Sequence, residues 1–155
     1  LNRCKEYPAM TVREATQDDD FDILVLTRQF MREAPHFFKF NKERCSNFLL
    51  RVGSSPDMVA FVSEDEDGIN GFILGLYTDH AFNDAKVAAE LGWFMTKDKR
   101  GGTQAIRLVK AFEQWAKDIG AEYVAMCDII GLSDLANLYD RSGYSLTERT
   151  FMKEI

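Results

Sequence analysis

Apolar positions along this chain recur with two periods, and the switches between them mark its elements. Residues 11–15 read as a short strand. Asp18, Asp19 and Asp20 then offer an N-cap and favourable negative charge to a helix. Its apolar stripe is Ile23, Leu26 and Phe30, at i, i+3 and i+7, and Pro35 ends it. Past an aromatic connection at 36–40, Asn41 is placed to cap a second helix that turns Phe48, Leu49 and Val52 inward. That helix stops at Gly53, Ser54, Ser55 and Pro56. Residues 58–63 and 69–78 are β-rich runs joined by the acidic turn from Glu64 to Gly68, a hairpin signal. Residues 80–86 form a loop and 87–95 a third core strand. The clearest helix follows, with Leu108, Phe112, Trp115 and Ile119 on one face and Arg107, Lys110, Gln114 and Lys117 on the other. Gly120 supplies its C-terminal cap. A strand at 123–129, a short helix capped by Ser133, and a strand at 144–155 that closes the sheet complete the chain. Strand, two helices, antiparallel meander and strand–helix–strand together require one parallel crossover. The sheet is therefore predicted to be mixed and mostly antiparallel.

The junction before the third helix carries the strongest chemical signal. A buried strand runs into Lys97, Lys99 and Arg100, then Gly101 and Gly102, then the helix start. The first N–H groups of a helix lack internal partners and sit at the positive end of its dipole. Glycines let a ligand approach them closely, so the turn predicts an anion site, phosphate above all. No nucleoside-triphosphate loop of the form Gly-x-x-x-x-Gly-Lys-Ser/Thr and no Gly-x-Gly-x-x-Gly fingerprint is present.

The turn resembles the pyrophosphate loop of the GNAT N-acetyltransferase superfamily, Arg/Gln-x-x-Gly-x-Gly/Ala. It reads here as Arg100, Gly101, Gly102, Thr103, Gln104, Ala105, with Thr103 in place of the central glycine. Downstream, Leu138, Tyr139, Asp140, Arg141, Ser142, Gly143, Tyr144 is similar to the Leu-Tyr-Glu-Lys-x-Gly-Phe segment that closes many such domains. Leu132 and Leu135 depart from the Asn and Ala found there in many members. The resemblance spans residues 10–155, and the glycine turn is similar in shape to that of small bacterial and phage-borne members.

The resemblance implies an α/β fold with helices on both faces of the sheet and a V-shaped split between the strands at 87–95 and 121–129. Into that split would go the pantetheine arm of acetyl-CoA, whose acetyl group passes directly to a primary amine in a ternary complex. Gly101–Ala105 and Arg100 would hold the pyrophosphate. A backbone N–H of Phe94 or Met95 would polarise the thioester carbonyl. Tyr139 stands in the general-acid position. Glu90, in an otherwise apolar strand, is the candidate base, with surface pairing as its rival. Asp79, His80 and Asp128 stand in reserve near the acceptor. His36, Phe37 and Phe38 would border the acceptor site or latch the sheet. Tyr144 is assigned to packing and Cys127 to a buried thiol. A non-catalytic CoA-binding or protein-interaction module on the same fold is the alternative, and a homodimer is left open.

Composition narrows the setting. A chain of 155 residues, 46% hydrophobic, suits one domain with a real core. Residues 1–9 lack an apolar signal stretch and are expected to be a loosely ordered extension of a single domain at 10–155. Three cysteines without CxxC spacing predict reduced thiols in the cytoplasm, no disulfide and no metal site. A net charge of -6 argues against nucleic acid and favours cationic amines as acceptors. No apolar run is long enough to predict a membrane span.

Overall fold

A computed structural model describes residues 10–34 and 38–155. The expectations placed on His36, Phe37 and the leading segment 1–9 fall outside the described residues. In chain order the elements are β1 (Thr11–Glu14), α1 (Asp20–Glu33), α2 (Lys42–Ser54), β2 (Met58–Asp65), β3 (Gly68–Asp79), β4 (Lys86–Met95), α3 (Thr103–Asp118), β5 (Tyr123–Ala125) and α4 (Ala136–Arg141). Short 3-10 turns precede α1 and α3. One sheet runs in the order β1-β2-β3-β4-β5, its first three pairings antiparallel and the last parallel.

Strand alternation sends side chains to two cores. Val62, Phe72, Leu74 and Phe94 pack with Ile23, Leu26 and Leu49 of α1 and α2. Val59, Ile73, Ala88 and Met95 pack with Leu108, Phe112 and Ala116 of α3. Helices therefore cover both faces of a mixed sheet, as the pattern predicts. On β4, however, Ala88 and Phe94 share a parity yet lie on opposite faces. The ladder explains this: Leu74 pairs with Gly92 and Gly75 with Glu90, so Leu91 is an extra residue, a β-bulge. One inserted residue reverses which side chains point to which face.

Several local expectations need correction. Asp19 is the residue before α1 but makes no capping bond to it. Its carboxylate accepts instead from the Thr16 N–H at 2.8 Å and from both terminal nitrogens of Arg13. That pairing holds the Asp19 carboxyl down at about 2. The strand expected at 123–129 ends at Ala125. Ser133 does not cap α4, which begins only after Leu135 because 130–132 is spent on a turn, with Leu132 N–H donating to Ile129 O. Residues 144–155 do not close the sheet: no strand follows β5 among the described residues. Their apolar members divide between parities, Leu146 and Met152 on one and Phe151 and Ile155 on the other, so no single face drives docking.

Asn41 caps α2 as expected, accepting from Arg44 N–H at 2.9 Å. Gly120, at φ +90, closes α3 with two bonds, Gly120 N–H to Lys117 O and Ala121 N–H to Ala116 O. That pair of bonds is a Schellman closure. Phe112 packs against Gly75, where a Cβ would fall 2.2 Å from its ring. Gly75→Val is expected to destabilise the fold by about 1–3 kcal/mol through overpacking, read as a lower urea midpoint at unchanged slope.

Candidate active site

The split begins where β5 stops. β4 and β5 pair only from Val87–Tyr123 to Ala89–Ala125. One residue further along β4 comes Glu90, and then the Leu91 bulge that bends β4 out of register. From there to Met95, the edge of β4 away from β3 has no strand beside it among the described residues. The direction of its N–H groups follows from a single bond. Thr96 N–H donates to Asn70 O on β3 at 2.9 Å. Antiparallel alternation then turns Phe94 toward β3 as well, and leaves the groups of Trp93 and Met95 facing the opening. Of the two backbone positions considered for polarising a carbonyl, Met95 is the one aimed at the cleft.

At the end of β4 the chain turns into α3. Gly101 takes φ +76, a conformation that favours glycine, and both Gly101 and Gly102 are exposed. Gly102 is the N-cap of α3, no side chain caps it, and no acidic residue occupies the first turn. The N–H groups of Thr103, Gln104 and Ala105 therefore present a free positive helix end. The nearby cations do not all face it. Arg100 donates from Nε to Met95 O at 2.8 Å, pairs through Nη2 with Glu33 of α1, and lies 5.0 Å over the Phe94 ring. Lys99 pairs with Asp65 at 2.7 Å. In this arrangement Arg100 fastens α1 to β4, and an anion at the glycines would meet backbone amides first. Gln104 turns inward, 1% exposed, with neither amide atom hydrogen-bonded.

Across the split, two side chains meet at one residue. Glu90 is 8% exposed, and its Oε2 accepts from the Cys127 N–H at 3.0 Å. Tyr139 of α4 donates its hydroxyl to Cys127 O at 2.7 Å. The Tyr139 ring lies 6.4 Å from Trp93 of β4 and 5.5 Å from Tyr144. Burial pushes the Glu90 carboxyl up to about 7, and the Cys127 N–H opposes that rise. Burial, with the charges of Glu90 and Asp128, holds the Tyr139 phenol well above its usual range. Cys127 is exposed, not the buried thiol expected; desolvation, and then the charges of Glu90 and Glu148, still raise its thiol, so it stays protonated and is a poor nucleophile.

The remaining candidates are scattered. Asp128 is exposed beside Cys127. Asp79 pairs with Lys86 at the far end of the β3–β4 ladder, and His80 contacts Phe82 in the following loop. Lys86 lies four positions before Glu90, about 13 Å of strand, so Asp79 is remote from Glu90. Phe38 is exposed. Among the described residues no group of three or more His, Cys, Asp or Glu is placed to hold a metal ion. No described helix is long and apolar enough to cross a membrane. The meeting of Glu90 and Tyr139 at the Cys127 backbone was not legible in the chain, because it is made by peptide groups that carry no sequence signal.

No protein-family model and no curated protein matches the chain. Solved structures do. An aminoglycoside N-acetyltransferase, AAC(6')-Iy in complex with CoA, superposes with a TM-score of 0.82 at 15% identity, over 99% of each chain. A putative acetyl transferase from Pyrococcus furiosus gives 0.77 at 20% identity, over 95% of this chain and 100% of its own. Glucosamine-6-phosphate N-acetyltransferase from Arabidopsis thaliana gives 0.74 at 16%, over 94% and 98%. The chain shares the fold of these acetyltransferases, an α/β GNAT-like fold.

The raised Glu90 carboxyl has a consequence for stability. Between the ordinary 4.5 and about 7 the folded protein holds a proton there that the unfolded chain has released. This contribution is therefore fully present below pH 4.5 and is lost as pH rises through about 7. Glu90→Gln keeps an acceptor for the Cys127 N–H without titrating. Relative to this variant, the wild type is expected to lose stability across that window and to level off above it, measured by urea midpoints at each pH.

Proposed function

We propose that this protein is an N-acetyltransferase that moves the acetyl group of acetyl-CoA to a primary amine by direct attack in a ternary complex. The observation that carries the reading is the parting of β4 and β5 after Ala89 and Ala125, with Glu90 and Tyr139 both turned to the Cys127 backbone at the fork and an uncapped α3 at its mouth. The fold shared with CoA-bound acetyltransferases supports it.

Each part of the site has a task. The amides of Thr103, Gln104 and Ala105 receive the diphosphate, where the helix dipole and charge-assisted hydrogen bonds act together. Pantetheine amides pair with the unpartnered edge of β4, which satisfies groups that would otherwise rely on water. The Met95 N–H polarises the thioester carbonyl as negative charge develops on its oxygen. Glu90, pushed up to about 7, takes a proton from the acceptor ammonium near neutral pH, directly or through water. The amine nitrogen then bonds to the carbonyl carbon and the carbon–sulfur bond breaks; the Tyr139 hydroxyl gives its proton to the departing sulfur and recovers one from the nitrogen, which sheds it as the amide forms. That hydroxyl is held on Cys127 O in the free protein, so it has to be redirected from that carbonyl.

Two variants test this reading from different sides. Gly102 has an ordinary extended backbone, and a Cβ there would sit 3.5 Å from Lys99 O, so other residues fit. Aspartate is moreover a good helix N-cap. Gly102→Asp is expected to fold with an unchanged or higher melting temperature while calorimetry shows acetyl-CoA binding lost, since its carboxylate occupies the mouth meant for phosphate. Retained affinity would place the cofactor elsewhere. Tyr139→Phe is expected to bind acetyl-CoA as the wild type does and to lose about 10²-fold or more in kcat, followed by free-thiol release against a panel of amines.

A further inference from the structure

We infer that Tyr144 and Glu113 form a positioning pair that ties Tyr139 to helix α3. The inference rests on the transferase reading and names residues that the reading leaves to packing.

Helix α4 needs such a tether. It has only six residues, none of them buried, and no side-chain cap at its start. A helix this short has little intrinsic stability in water, so outside contacts decide where its side chains stand. Its C-terminus supplies the first link. Gly143 takes φ +86, its N–H donates to Asp140 O at 3.1 Å, and the Tyr144 N–H donates to Tyr139 O at 2.9 Å. These two bonds make a Schellman closure, whose geometry folds the second residue beyond the helix back over the residue that begins the last turn. Here those two residues are Tyr144 and Tyr139, and their rings stand 5.5 Å apart. The glycine therefore sets one aromatic ring against the other.

The second link reaches α3. The Tyr144 hydroxyl donates to Glu113 Oε1 at 2.7 Å, and both side chains are half-buried. A hydrogen bond to a carboxylate is about twice as strong as a neutral one. Without it the Tyr144 ring has apolar contact but no fixed height along α3, and Tyr139 moves with it. The groups facing this assembly are Glu90, Asp128 and Cys127 on the Tyr139 side and Glu113 on the Tyr144 side. Helix α3 thus carries the diphosphate mouth at Thr103 and the tether of the acid at Glu113. Ten residues of helix, about 15 Å, set the distance between them.

Substitution can separate the hydroxyl from the ring. Tyr144→Phe keeps the ring, Gly143 and the closure, and deletes one hydrogen bond. Glu113→Gln keeps an acceptor oxygen, and Glu113→Ala removes it. In the free protein, hydrogen exchange over residues 136–144 is expected to quicken about tenfold in Tyr144→Phe and Glu113→Ala, with residues 103–118 unchanged and Glu113→Gln close to wild type. On an amine that turns over, the first two variants should lose about tenfold in kcat with little change in KM for acetyl-CoA, and the double variant no more than either single one. Unchanged exchange in Tyr144→Phe, or full kcat in it where Tyr139→Phe is inactive, overturns the positioning role. Failure of the wild type to bind acetyl-CoA overturns the transferase reading instead, while exchange still reports on the tether.

Discussion

Everything in the site follows from one unfinished pairing. Two parallel strands begin a ladder at Val87 and Tyr123 and abandon it three residues later. Unpaired backbone groups in a cleft are costly unless something satisfies them. The bulge at Leu91 makes the break a property of the chain, because it bends β4 and rotates its edge where the partner strand would continue. The free protein answers the cost with side chains: Glu90 takes the Cys127 N–H and Tyr139 takes the Cys127 carbonyl. The two side chains assigned proton transfer in the proposed reaction are thus the two that bridge the fork at Cys127.

Charge has a smaller part than the sequence suggests. The basic turn stands out in a chain of net charge -6, yet Arg100 pairs with Glu33 and Lys99 with Asp65. Pairs of this kind contribute little to stability, so their value here is geometric. Arg100 ties the end of α1 to Met95 O and Phe94, holding the cleft edge of β4 in place. Under the proposed reading the anion would meet free backbone amides, and a glycine at the N-cap of α3 would matter more to it than Arg100 or Lys99.

Local signals were readable where one element decides its own geometry. The stripe of α3, the cap of α2 by Asn41, the hairpin between β2 and β3, and the glycine that closes α3 at 120 all rest on period or backbone conformation. What could not be read depends on a partner distant in sequence. Nothing in the composition of β4 announces that Leu91 is supernumerary, so the opposite placement of Ala88 and Phe94 had no precursor in the pattern. The direction of Arg100 depends on Glu33, 67 residues away. Strand propensity at 126–129 and 144–155 was real, but neither segment has a neighbour that completes a ladder. Gln104, at a helical position one turn before Leu108, has no apolar signal and is nonetheless buried with its amide unpartnered.

Stability and site geometry meet in α3. Phe112 fills the space over Gly75, the β3 residue that pairs with Glu90, so the helix presses on the ladder directly beside the bulge. The next residue, Glu113, holds Tyr144. The first turn stays uncapped and open. A shift of α3 along its axis would therefore move the anion mouth, the packing against Gly75 and the tether of α4 together. Close packing resists such a shift, because a displaced Phe112 loses dispersion contacts and leaves a void. The same burial that stabilises the core thus fixes the spacing of the groups around the fork, and a rigid helix serves a cleft whose own strands do not hold each other.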